Sequence, residues 1–174
     1  MRGADVVYES PDLNDLDRIN MENLFRAHWN EAAVPLLMKD AEFFFDWEWH
    51  ARAQKLGLWT CFAAREGCSA EIRKGRERGA GGIGGIAGYA SFFVSRHPFI
   101  DERTAQMESF YVVPACRDGF AGVRLLRFAA ESLKKQGVRA VHLGAPFYGR
   151  CGGLFRRLGA QPLETVWRLD MQTV

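Results

Sequence analysis

The stretch from Gln106 to Pro146 narrows the possible folds more than any other part of the chain. QMESFYVVP (106–114) is a run of branched and aromatic residues ended by proline, the pattern of a strand. Residues 119–136 then place Gly122, Leu126, Ala129, Ala130 and Leu133 on one stripe and Arg124, Arg127, Glu131 and Lys134 on another, an amphipathic helix that Gly137 ends. AVHLGAP (140–146) is a strand again. Strand, helix and strand in this order make a βαβ crossover, so part of the sheet must be parallel.

The remaining segments add antiparallel pairs. VVYES (6–10) is a first short strand, Ser10 and Pro11 have the chemistry of a helix start, and residues 12–33 are mainly helical. Pro35 breaks that run, and KDAEFFFDWEWHARAQKLG (39–57) predicts a second helix closed by Gly57. LWTCFAARE (58–66), IAGYASFFVSR (86–96) and QMESFYVVP form an antiparallel meander. GGLFRRLG (152–159) is a short helix and LETVWRLDM (163–171) a closing strand. The expected fold is a single α/β domain over residues 1–174, with a mixed, mostly antiparallel sheet and helices on both faces.

The segment 67–85, GCSAEIRKGRERGAGGIGG, is a glycine-rich basic insertion between strands. Gly79, Gly81 and Gly84 satisfy GxGxxG, but that dinucleotide fingerprint needs a strand before it and a helix after it. Here a charged loop precedes and a strand follows, so the match is chance. Arg73, Lys74, Arg76 and Arg78 read as a solvated hairpin tip, since two glutamates interrupt them.

A chain of 174 residues, 48% hydrophobic, can bury a core without disulfides or a structural metal. Its formal charge of +2 is too small for a protein that works chiefly by gripping phosphate backbones. Cys61, Cys68, Cys116 and Cys151 form no CxxC pair and no zinc spacing, so no metal site is expected. MRGADVVYES lacks an apolar leader and no stretch approaches the roughly 18–20 apolar residues of a membrane span, which leads to the expectation of a cytoplasmic protein with no membrane partner.

VVPACRDGFAGVRLL (112–126) demands a separate explanation. A helix start presents N–H groups without intrahelical partners, and the peptide dipoles add partial positive charge. Gly119, Ala121 and Gly122 keep that corner bare enough for a phosphate to approach the main chain, and Arg117 adds a cation. The same glycines also suit a tight turn and close packing of helix on sheet, and both readings stand on the spacing alone. The surrounding order changes that balance. SFYVVPACRDGFAGVRLLRFAAESLKKQGVRAVHL resembles the central strand, pyrophosphate loop, helix and next strand of the GNAT superfamily of N-acetyltransferases, and GGLFRRLGAQPLETVWRLDM is similar to its closing segment. AHWNEAAVP (27–35) further resembles the first helical region of GNAT members common in bacteriophages and prophages.

The resemblance implies a transfer of acetyl from acetyl-CoA, as co-substrate, to a primary amine by direct attack on the thioester. It implies that Arg117, Asp118, Gly119, Phe120, Ala121, Gly122 and Val123 hold the pyrophosphate, while the backbone of Phe110, Tyr111 and Val112 splays from its neighbour to pair with the pantetheine arm. His28, Trp29 and Glu31 fall in the acceptor region, and FFFDWEWH (43–50) would form its wall, with Glu42, Asp46 and His50 spaced along one side. The partners implied are acetyl-CoA and an unidentified amine; nucleic acid is disfavoured and a homodimer is left open. Phe120 departs from the family loop, and Phe155 stands where many relatives have a tyrosine that protonates the leaving thiolate. Tyr148 is the substitute proton donor. The alternative to an enzyme is a non-catalytic acyl-CoA-binding or protein-interaction module of the same fold.

An amine must be unprotonated to attack, and a lysine of pKa ~10.4 is neutral in roughly one molecule in 2,500 at pH 7. A general base is therefore useful. Glu108 is the candidate, because it shares the strand parity of Phe110 and Val112 and so points toward the expected gap. The alternative is an ordinary solvated strand carboxylate. His28 and Glu31, three apart on a helix, are second candidates.

Overall fold

The computed structural model describes residues 6–13, 18–33, 42–66, 85–117, 120–145 and 151–163. Five strands, β1 (Val6–Glu9), β2 (Trp59–Glu66), β3 (Ile86–Arg96), β4 (Arg103–Val112) and β5 (Val138–His142), lie side by side in chain order. The first four pair antiparallel and β4 pairs with β5 parallel. The crossover is α3 (Ala121–Lys135); α1 (Arg18–His28) runs into one π-helical turn at Trp29–Ala33, and α2 (Trp47–Lys55) precedes β2. All of these belong to the compact unit Met1–Gly144. A smaller unit, Ala145–Val174, carries α4 (Cys151–Arg157), which ends at Gly159 in the left-handed region at φ 84°. The expected strand at 163–171 lies, from residue 164 on, outside the described residues.

Alternation along the strands sorts the side chains into two layers. Trp59, Cys61 and Ala63 of β2 join Met21, Leu24 and Phe25 of α1 and Ala53 of α2 in one core. Phe62 points the other way, where its ring meets Phe92 and, on α3, Phe128. Helices thus cover both faces, as the strand–helix order requires. On α3 the buried residues are Val123, Leu125, Leu126, Ala129 and Leu133, while Ala130 is exposed. The apolar stripe therefore runs through Leu125 rather than Ala130, one position around the helix from the expected face.

Two helix starts also differ from expectation. The second helix begins at Trp47, not near residue 39, because Asp46 accepts a hydrogen bond from the Trp49 N–H at 2.9 Å and holds extended backbone as the N-cap. Residues 42–46 are irregular, so Glu42, Asp46 and His50 do not line one side of a helix. Ser10 donates its hydroxyl to the Cys61 carbonyl at 3.4 Å instead of capping a helix. At the opposite end of the sheet Arg103, the first residue of β4, donates to the Gln136 carbonyl at 2.9 Å and the Gly57 carbonyl at 3.4 Å. One guanidinium thus ties the ends of α3 and α2 to the central sheet.

Gly88 of β3 faces Val112 of β4, and a Cβ there would stand 2.5 Å from the Tyr111 carbonyl oxygen and 3.1 Å from Val112 Cα. Backbone atoms cannot swing aside as a side-chain tip can. Gly88→Ala is expected to destabilise the protein by about 1–3 kcal/mol, the usual cost of overpacking. Urea denaturation should show a lower midpoint at an unchanged slope.

Candidate active site

The parallel ladder between β4 and β5 ends at the Gln106–His142 pair, and β4 runs on through Met107–Val112. Among the described residues no strand covers that edge of β4. Just past the end of the ladder, Ser91 pairs with Ser109 but Phe92 pairs with Met107, which leaves Glu108 as the extra residue of a bulge. A bulge re-aims the side chain it carries. Phe110 and Val112 face α3, where a Cβ on Gly122 would lie 3.2 Å from Phe110 Cζ and 3.5 Å from Val112 Cγ2. Glu108 turns to the other face, beside β2 and α2. The parity that links Glu108 to Phe110 and Val112 in the sequence is thus broken by the bulge, and the carboxylate sits on the α2 side.

There it is held from several directions. Trp59 Nε1–H donates to Oε2 at 2.7 Å, the Ser91 hydroxyl donates to the same oxygen at 2.9 Å, and His50 Nε2 stands 3.5 Å from Oε1. The Glu108 side chain is 27% exposed. Burial raises its pKa, but the hydrogen bonds from His50, Trp59 and Ser91 together outweigh burial and hold it below the usual carboxylate range. The carboxylate is therefore ionised and fixed in direction. Trp59, Ser91 and His50 were not legible as its partners, since each joins it only through tertiary structure.

A second cluster forms where α1 meets the end of β4. His28 Nδ1 lies 2.7 Å from the Tyr89 hydroxyl, and its ring stacks on Tyr111 at 5.0 Å. Burial lowers the His28 pKa to about 4, with Glu31 opposing and Arg117 reinforcing the shift. Glu31, on the π-helical turn, accepts Arg117 Nη1–H at 2.5 Å and Nη2–H at 2.7 Å, and these bonds pull its carboxyl below the usual range despite some burial. Arg117 Nε–H donates to the Val112 carbonyl at 2.7 Å, and its guanidinium lies over the Tyr111 ring. Side-chain exposures of 41% and 44% limit the Arg117–Glu31 pair to about 1 kcal/mol or less. Trp29 sets its ring edge-on to Phe43 at 6.3 Å. His28, Glu31, Tyr111 and Arg117 thus come together, apart from the carboxylate of Glu108.

The start of α3 meets the demands of an anion. Phe120 is its N-cap, 64% exposed, and supplies no capping hydrogen bond, so the first N–H groups, at Ala121, Gly122 and Val123, have no side-chain cap. Arg124 N–H is the first to close a turn, onto the Phe120 carbonyl at 2.9 Å. An uncapped helix start with small residues, next to an uncovered strand edge, fits a diphosphate followed by an amide-bearing arm. Asp118, Gly119 and Tyr148 lie outside the described residues. Phe155 is on α4. Among the described residues no cluster of His, Cys, Asp and Glu could hold a metal ion, and no helix is long and apolar enough to cross a membrane.

A mixed sheet whose parallel ladder stops beside an uncapped helix start has counterparts among known proteins. Residues 21–153 match the Acetyltransferase (GNAT) family, and the chain belongs to that family. No curated protein sequence matches it. Among solved structures, an acetyltransferase from Trypanosoma brucei is similar over 96% of this chain and 100% of its own, with 18% identity and a TM-score of 0.64. A ribosomal-protein-alanine N-acetyltransferase from Brucella melitensis biovar Abortus 2308 gives 15% identity and a TM-score of 0.65 over 96% and 99%. A predicted acetyltransferase with acetyl-CoA from Clostridium acetobutylicum gives 14% and 0.66 over 98% and 99%. At these identities the likeness establishes the GNAT fold.

The buried His28 makes acid stability a direct readout of this region. Folded, it takes its proton near pH 4 and unfolded near 6.5, so between those values the unfolded chain binds the extra proton. Stability present above pH 6.5 is lost as pH falls toward 4, by up to about 3 kcal/mol. His28→Gln should flatten that part of the stability curve, measured by chemical denaturation at a series of pH values.

Proposed function

We propose that the protein is an N-acetyltransferase that moves an acetyl group from acetyl-CoA to a primary amine by direct attack, with residues 1–174 acting as one catalytic domain. The observation that carries this reading is the bulge that aims Glu108 off β4 just where β5 stops covering the strand. When bound, acetyl-CoA supplies an acyl group activated as a thioester. The main chain of Phe110, Tyr111 and Val112 and the N–H groups of Ala121, Gly122 and Val123 are the groups that would hold it, with Asp118, Gly119 and Phe120 shaping the loop between them. Arg117, bound to Glu31 and to the Val112 carbonyl, ties the end of β4 to the π-helical turn.

Glu108 accepts the proton that the acceptor's ammonium must lose before its nitrogen can attack. His28, Trp29 and Glu31 border the acceptor. His28 and Glu31 are the second candidates for the base, His28 with its ring kept neutral by burial, which lowers its pKa to about 4. Tyr148 is the proposed proton donor to the departing thiolate, which needs little help because a thiol pKa of ~8.5 already makes it a tolerable leaving group. The acceptor class is an amine on a protein N-terminus, a lysine, an amino sugar or a small metabolite, and the setting is the cytoplasm. The sequence likeness of AHWNEAAVP supports a place near the phage-type members.

Acetyl-CoA should raise the melting temperature while acetate should not, by the equivalent of about 2.7 kcal/mol at 100 times the dissociation constant. Gly122→Val, which adds bulk against Phe110 at the helix start, should remove that shift; no shift in the parent at millimolar acetyl-CoA would overturn the co-substrate.

Thiol release from acetyl-CoA across N-terminal peptides, lysine peptides and aminoglycosides tests turnover. Glu108→Gln should slow it by about 10²–10⁴-fold at neutral pH, with the rate recovering toward alkaline pH as solvent deprotonates the amine. Binding with no release on any acceptor would instead favour the non-catalytic module.

A further inference from the structure

His50 was placed by its sequence only in the wall of an acceptor pocket, and the reading of Glu108 as a base makes no use of it. Its ring is buried and immobilised: it stacks on Phe45 with centroids 4.1 Å apart and lies edge-on to Trp49 at 4.7 Å and Trp59 at 5.1 Å. Nδ1 lies 2.7 Å from the Asp46 main-chain carbonyl, which also accepts the His50 main-chain N–H at 3.1 Å. A carbonyl oxygen can only accept, so Nδ1 carries a hydrogen whatever the charge of the ring.

That assignment fixes the state of the other nitrogen. In the neutral ring Nε2 is a bare lone pair, and it stands 3.5 Å from Oε1 of Glu108. An ionised carboxylate also offers only lone pairs there. Two lone pairs that face each other form a slot for one proton: with it Nε2–H donates to Oε1, and without it the pair is a vacant acceptor. Oε2 is already engaged by Trp59 and Ser91, so the proton's place is on the Oε1 side.

We propose that His50 is the positioning residue of Glu108 and the second holder of its proton, so that Glu108 Oε1 and His50 Nε2 share the one proton that either receives. The inference rests on the reading of Glu108 as the base. In the step it serves, an N–H bond of the acceptor's ammonium breaks, the electron pair stays on nitrogen, and the proton ends between Oε1 and Nε2. The 3.5 Å separation shortens once a proton bridges it, as resting hydrogen bonds in catalytic sites commonly do. The pair offers the arriving proton two acceptor atoms, Oε1 and Nε2, where the carboxylate alone offers one on that side. The other titratable groups around the pair are Asp46 at the cap, Cys61 of β2 and Tyr89 of β3; burial raises the pKa of both Cys61 and Tyr89, so the two stay neutral.

The test combines ¹⁵N NMR of the His50 ring in the intact protein with kinetics of its variants. The expected result is a ring protonated at Nδ1 throughout, with an Nε2 signal that responds to Glu108→Gln. A neutral ring protonated at Nε2, or an Nε2 signal indifferent to Glu108→Gln, overturns the pairing whether or not any acceptor is known. For turnover, the probe is thiol release from acetyl-CoA with an N-terminal alanine peptide and with water alone. His50→Gln keeps an N–H donor near Oε1 but cannot take a proton, so the acid limb of kcat/KM should move to lower pH by at least one unit and the plateau should fall about tenfold. If His50→Gln keeps the parent's profile while Glu108→Gln does not, His50 is structural and Glu108 stands. If Glu108→Gln itself keeps the parent's rate at every pH, the base reading fails and the catalytic role of the pair fails with it.

Discussion

β4 is paired with β3 along nearly its whole length but with β5 only from Arg103 to Gln106, and the rest of the candidate site is arranged around the point where that second ladder stops. A strand edge with no partner must find one, because main-chain polar groups away from water are costly when unpaired. Along Met107–Val112, among the described residues, the Nε–H of Arg117 meets the Val112 carbonyl. The bulge at Glu108 falls at this transition. It lets the strand change what it does with its two faces, aromatic and branched side chains toward α3 and a carboxylate toward α2.

Holding that carboxylate ionised inside the domain is the main electrostatic expense of the arrangement. Burial alone disfavours the charge, and the fold answers with a tryptophan, a serine and a histidine from three different elements. No two of these are near in sequence, so the geometry exists only when the sheet and α2 are assembled. Glu31 shows the contrasting solution. It remains well exposed, meets Arg117 in a bidentate pair, and contributes little to stability.

The layout of the Met1–Gly144 unit was legible because periodicity reports it: the strands at 58–66 and 86–96 and the crossover helix lie within a few residues of their sequence limits. What failed were inferences that carried a period through an irregularity. Strand parity places Glu108 with Phe110, and a single extra residue reverses it. Helical spacing extends the second helix back to residue 39, although Asp46 has the side chain of a start signal; read as a cap rather than as an acidic face, it would have given the correct start. The partners of Glu108 had no local signal, since Trp59 and Ser91 look like ordinary strand residues until β2 and β3 lie beside β4. The bare corner at 120–123 was visible as a pattern, but its contact with Phe110 and Val112 shows that glycine there serves packing as well as any ligand.

Arg103 gives the domain a mechanical asymmetry. It stands in the only stretch where β4 and β5 are joined, and its guanidinium also grips the carbonyl groups that close α2 and α3. The two strands are therefore joined at the Arg103 end, with both flanking helices fastened to the same point. Losing that one side chain would release both helix ends from the sheet at once, while the ladder between β3 and β4 would remain.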